Sequence, residues 1–245
     1  MLCSVLFAVL AAGAEPATVL HKEGLVHGYL VLTDLGGERL ADGELLQTAK
    51  GERVTSRLVL RFKDGSLDDE TAVFSQDGQL RLLSDHLIQR GPAFKKPIDL
   101  SIDVRAGEVV VKSGDKVERQ KMDLPADLAN GIIPIVLKNV PRGGALPSMS
   151  MVVATPKPRL VKLVTTVDGE DRFVTGGAAH RATRYKLHVD IGGVEGAFAP
   201  LVGKQPPDSK VWVSGDEVPT FVKAEEPLFA DAPLWRLELV SPAWR

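Results

Sequence analysis

Ile98-Asp99-Leu100-Ser101-Ile102-Asp103-Val104-Arg105 alternates an apolar residue with a polar one at every step. Side chains on a strand point alternately to its two faces, so this stretch specifies a strand that is greasy on one side and wet on the other. The same rhythm recurs along most of the chain. It is punctuated at Gly36-Gly37, Asp42-Gly43, Asp64-Gly65, Asp77-Gly78, Ala106-Gly107, Gly114-Asp115, Asp168-Gly169, Gly192-Gly193 and Gly215-Asp216. Asp-Gly pairs suit tight hairpins that need a positive φ. Repeated one-sided strands joined by hairpins describe a large antiparallel sheet with one apolar face.

The spacing predicts strands near 29–33, 40–49, 53–63, 70–76, 79–89, 98–105, 108–112, 148–154, 160–167, 181–191, 210–213, 220–223 and 234–240. One segment departs from the rhythm. Between Asp123 and Val140 the residues Leu124, Leu128, Ile132, Val136 and Val140 recur every fourth position, which predicts an amphipathic helix capped by Asp123 ahead of Pro125. Gly131 and Pro134 inside it predict a kink or a break. The expected fold is therefore mainly β, a curved sheet or half-open barrel wrapped around one central, kinked helical segment.

Leu2 to Ala12 is an apolar run followed by Ala12-Gly13-Ala14 and Glu15-Pro16, the layout of a secretory leader ending at residue 14. No Lys or Arg precedes the run, so the usual basic start of such a leader is missing. The expectation is a signal peptide at 1–14, a single β-rich domain at 15–245, and a periplasmic or secreted protein. Cys3, the one cysteine, lies within the leader, which leaves the remainder without a thiol for a disulfide, a zinc thiolate or a nucleophile. The leader is too short to span a bilayer, which takes about 20 apolar residues, and no other segment approaches that length. A net charge of −2 with acids and bases interspersed gives no footprint for nucleic acid.

Candidate chemistry is sparse. Asp99 and Asp103 share a strand face, but four residues of strand span about 13 Å, beyond the roughly 5 to 9.5 Å of a glycosidase carboxylate pair. Asp85 and His86 point to opposite faces, and no metal ligands are grouped locally; a site from His86 with Asp69 or Glu70 would have to form across strands. There is no G-x-S-x-G elbow, phosphate loop or dinucleotide fingerprint. Arg53, Arg57, Arg61 and Lys63 form a basic row that fits a solvated strand face. Trp212, Trp235 and Trp244 read as core or rim residues. No cofactor is expected, and no metal site or catalytic residue is assigned.

The order of a leader, a long antiparallel meander, a helical segment beginning Asp123-Leu124-Pro125-Ala126-Asp127-Leu128-Ala129-Asn130-Gly131 and a terminal Trp-bearing hairpin series resembles bacterial envelope proteins with the half-open barrel of the LolA and LolB lipoprotein carriers. Phrases such as Arg61-Phe62-Lys63-Asp64-Gly65 and Leu83-Ser84-Asp85-His86 belong to that likeness, which runs from Gly28 to Trp244. It implies a curved sheet around a helix with an apolar cavity suited to an acyl chain. The residue set expected to line it is Leu58, Leu60, Phe62, Ile98, Leu100, Ile102, Leu128 and Ile132. Three functions fit the sequence. One is a non-enzymatic exported protein that offers apolar surface to a lipid, lipoprotein or envelope partner. Another is a structural or interaction module with a self-filled core. A third is a hydrolase with a site built from Asp69, Glu70, Asp85 and His86.

Overall fold

The structure is a computed structural model that describes residues 15–155, 157–175, 177–190, 205–215 and 218–240. The leader, Cys3, the strand end at residue 191, the turn signal Gly192-Gly193, Asp216 and Trp244 lie outside the described residues. Fourteen strands form one antiparallel sheet: β1 (Val26–Asp34), β2 (Arg39–Lys50), β3 (Arg53–Phe62), β4 (Leu67–Ser75), β5 (Arg81–Arg90), β6 (Ile98–Asp103), β7 (Glu108–Ser113), β8 (Lys116–Lys121), β9 (Met149–Val153), β10 (Arg159–Thr175), β11 (Ala178–Asp190), β12 (Ser209–Ser214), β13 (Phe221–Glu226) and β14 (Trp235–Val240). Their order is β8-β7-β6-β5-β4-β3-β2-β1-β14-β13-β12-β11-β10-β9, two meanders joined where β1 pairs with β14. The two halves curl toward each other. Val54, Phe74, Leu100 and Val111 from one half share a core with Met149, Leu187, Val211 and Ala224 from the other, which makes the sheet barrel-like.

Hairpin turns fall where the Gly punctuation predicted: Gly65, Gly78, Gly107 and Gly114 all have positive φ. Two of the signals serve a different purpose. Gly43 lies within β2 and faces inward, where a Cβ would sit 2.9 Å from both Leu30 and Leu60, so only glycine lets those leucines meet. Gly169, at φ 126°, marks a bulge inside β10 rather than a turn, which lets that strand run on to Thr175. β8 was not anticipated, because Lys116-Val117-Glu118-Arg119-Gln120-Lys121 has no apolar face; it is an edge strand kept from further pairing by its charges.

The helical segment is much shorter than its four-residue periodicity predicts. Only α1 (Ile133–Lys138) is helical, with Pro134 in its first turn and no side-chain cap. Gly131 at φ 66° breaks the pattern, and residues 127–130 run beside β9 instead. Ser150 donates to the Asp127 carbonyl and Ala129 to that of Ser150. Asn130 then imitates a strand with its side chain: its amide accepts from Val152 N–H at 2.8 Å and donates to Val152 O at 2.9 Å. Asp123, expected as the cap, lies well before α1, whose N-cap is Ile132, and Asp127 instead accepts from Ser148, Ser150 and Lys162. The open edge of β9 is thus covered by the chain itself.

The far end of α1 is tied to the N-terminal segment. Asn139 Oδ1 accepts from the Leu20 and His21 amides, and Lys138 pairs with the buried Glu23 at 2.6 Å. Leu128, Ile132, Val136 and Leu137 fill one end of the barrel-like shell.

Candidate functional site in the interior

The inward faces of the strands carry two separate apolar clusters. The larger one surrounds residues 128–137. The smaller one holds Leu30, Leu32, Leu60, Phe62, Phe94 and Leu237, and it is capped by aromatic rings. Phe62 meets Phe94 edge-on with centroids 5.4 Å apart and Trp235 at 5.6 Å; Phe229 closes the group at 5.6 Å from Phe94 and 5.9 Å from Trp235. Trp235 also walls a groove of about 630 Å³ at the rim, with Leu35, Leu40, Pro233 and Leu234.

Between the clusters the interior is acidic. On β4, Asp68 and Glu70 continue the inward face of Ala72 and Phe74; on β5, Asp85 and Gln89 share the inward face with Leu87. Glu226 faces in from the end of β13, across from Trp235 on β14. Gln89 Nε2 donates to Asp68 Oδ2 and to the Leu228 carbonyl, both at 2.7 Å, and so ties β4 to the segment after β13. Asp85 is only 2% exposed, and neither carboxylate oxygen has a hydrogen bond of good geometry, the His86 amide being the donor in range. Over it lies Gly131, where a Cβ would come within 3.1 Å of Asp85 Oδ1, 3.3 Å of Glu70 Cδ and 2.8 Å of Ala72 Cβ.

Removal from water disfavours the charged form of a carboxyl group, and all four acids feel this. Burial pushes Asp68 up to about 6, with the Gln89 hydrogen bond opposing and Asp69 adding to the rise. Burial raises Asp85 to about 7, against the His86 amide and with help from Asp68. Glu226 reaches about 7 through burial and the Asp68 charge. Glu70 is raised well above the usual range by burial, then by Asp85, Asp68 and Glu226.

Several inward-facing residues nevertheless keep accessible surface. Leu45, Leu58, Glu70 and Leu87 lie in one row across β2, β3, β4 and β5, and none is fully buried. Leu239, on the same face of β14 as Leu237, is 41% exposed. Leu45 and Leu58 pack beside the aromatic cluster, whereas Leu87 and Ile98 pack beside the helical one. The row therefore keeps accessible inward surface between the two packed clusters.

The eight residues expected to line a cavity divide accordingly. Leu100, Ile102, Leu128 and Ile132 belong to the larger cluster and Leu60 and Phe62 to the smaller, with Leu60 0% and Ile132 1% exposed. Leu58 and Ile98 are the two that retain accessible surface. The set Asp69, Glu70, Asp85 and His86 does not assemble. Asp69 is on the outer face, bidentate with Arg57 at 2.8 and 2.6 Å, and His86 is outside too, 3.0 Å from Asp99. Glu70 and Asp85 point the other way, because neighbours on a strand face opposite sides. Asp68, Gln89 and Glu226 were missed, as were Leu45, Leu87 and Leu239.

No protein-family model matches the chain, and no curated protein does. Among solved structures it is similar to a beta-barrel-like protein of the domain of unknown function DUF1849 from Brucella abortus. The TM-score is 0.49 and the identity 9%, over 91% of this chain and 100% of that one. The barrel-like architecture stands on the strand registers and shared core above, and the acidic patch on the inward parity of β4, β5 and β13.

Other expectations fall outside this inward-facing patch. Asp99 and Asp103 are on the outer face, where Asp99 bridges His86 and Lys112. Trp212 is buried on the outer side beneath the β10–β11 ribbon, donating to Asp171 at 2.6 Å with Lys223 over its ring. Among the described residues no three acids or histidines converge as metal ligands do, and no helix is long and apolar enough to cross a membrane.

Proposed function

We propose that the protein is an exported, non-enzymatic binding protein of the cell envelope that holds the apolar part of a small amphiphile, such as a lipid, in the hollow between its two cores. One observation carries this reading: Leu45, Leu58 and Leu87 face inward in register yet stay accessible, while their neighbours Leu60 and Leu100 are fully packed. Apolar surface left facing a hollow gains about 25 cal/mol per Å² when a ligand covers it. The filled ends favour a short occupant that sits between them, rather than one that displaces residues 128–137. The hydrogen bonds of Asn130 to β9 and of Asn139, just beyond them, to the N-terminal segment make displacement costly. Export rests on the apolar leader ending Ala12-Gly13-Ala14.

The test is mass spectrometry of lipids extracted from the protein purified out of its native envelope. The reading expects an amphiphile in near-stoichiometric amount. Protein recovered with Met1 intact from a cytoplasmic pool, and free of any amphiphile, contradicts it.

A further inference from the structure

Four acids from three strands face inward together, on β4, β5 and β13. Among the described residues no Lys, Arg or His side chain pairs with Asp68, Glu70, Asp85 or Glu226, and the charges acting on them are those of other acids. The chain supplies cations readily elsewhere: Asp127 has Lys162, Asp99 has Lys112, and Glu23 has Lys138. Among the described residues, those that pair with the acids or lie over them bring no positive charge either. β3 contributes Leu58 and Leu60, β5 contributes Leu87 and Gln89, and the segment over them contributes the Gly131 backbone.

Asp85 adds an independent sign. A carboxyl group 2% exposed, whose oxygens have no hydrogen bond of good geometry and only the His86 amide in range, is a costly arrangement unless something more donates to it. The neighbourhood is apolar on the other side. Leu58 and Leu87 flank Glu70 in the ladder, and Trp235 stands opposite Glu226 at the start of the aromatic cluster.

We infer that the hollow takes an amphipathic cation: a primary ammonium or guanidinium group whose N–H donors meet Asp85 and Glu70, carried on an apolar body that lies along Leu58, Leu87 and the aromatic end. N–H donors matter as well as charge, because the Asp85 oxygens lack well-aligned hydrogen bonds. A quaternary ammonium brings charge without donors. The inference rests on the reading of the hollow as ligand space and names the chemistry of its polar end.

Isothermal titration of the whole protein at pH 8 with four probes of one chain length tests it: dodecylammonium, dodecyltrimethylammonium, dodecanol and dodecanoate, each below its micelle-forming concentration. Dodecylammonium should bind about tenfold or more tighter than dodecanol. The trimethyl compound should fall between them, and dodecanoate should bind weakest. Repeated at pH 6, where Asp85 and Glu226 still hold protons, binding of dodecylammonium should release them as the acids ionise against the ligand, so the heat measured there should depend on the buffer. Asp85→Asn and Glu70→Gln should each erase the preference for dodecylammonium and leave dodecanol affinity unchanged. Glu226→Gln gives a third arm should one variant fold poorly. Equal affinity for dodecylammonium and dodecanol overturns the inference and leaves the apolar binding reading intact. An ammonium preference that survives all three substitutions also overturns it. Binding of none of the four probes overturns both.

Discussion

Gly131 rests on Asp85: the glycine is at φ 66°, and a Cβ there would lie 3.1 Å from Asp85 Oδ1. This contact separates the acidic patch from the helical core. It works only because the residue has neither a side chain to clash nor a penalty for positive φ.

Gly131→Ala should therefore destabilise the protein by roughly 1 to 3 kcal/mol, since overpacking and a strained φ act together. The added methyl meets Ala72 Cβ at 2.8 Å as well as the two carboxyl groups. A urea titration measures it. An unchanged midpoint contradicts the packing described.

The interior acids give the unliganded protein a definite pH dependence. Asp68 is raised to about 6, and Asp85 and Glu226 to about 7, so the folded chain holds protons that the unfolded chain releases at lower pH. Their contribution is fully present below the ordinary carboxylate range and is lost as pH rises through 6 to 7. Thermal unfolding should show Tm falling between pH 5 and pH 8. Asp85→Asn, which cannot ionise, should flatten that fall and stabilise the protein at pH 8 by about 1 to 3 kcal/mol. A Tm that climbs with pH over this interval runs against the account.

Three leucines distinguish core from hollow. Leu60→Ala and Ile132→Ala remove fully packed side chains and should each cost about 2 to 5 kcal/mol. Leu58→Ala opens onto space already present and should cost clearly less. Denaturant unfolding of the three variants reads this directly, and equal losses at Leu58 and Leu60 argue that no hollow borders Leu58.

The strands were legible because alternation and hairpin glycines act locally. Thirteen of the strands correspond to stretches such as 98–105, and the outward placing of Asp99, Arg57 and His86 follows from the same parity. β8 escaped because an edge strand wet on both faces has no periodic signal. The helix was overestimated. Leu124, Leu128 and Ile132 keep a helical spacing, but the need to cover the edge of β9 outweighed it, and Gly131 permitted the break. The acidic site was only half visible. Asp68 and Glu70 occupy the same parity as Ala72 and Phe74, so two acids on an otherwise apolar face were a signal present in the strand itself. Their convergence with Glu226 was not, since it depends on the two meanders curling together across more than a hundred residues of chain.

The reading of the hollow as ligand space is tested most directly by the fluorescence of N-phenyl-1-naphthylamine, an uncharged apolar probe, titrated with the wild-type protein and with Leu58→Trp. The account predicts a saturable enhancement with the wild type. It predicts loss of that enhancement in Leu58→Trp, whose indole fills the space while the β-sheet circular dichroism is retained. No saturable enhancement with the wild type, or equal enhancement with a folded Leu58→Trp protein, would contradict it.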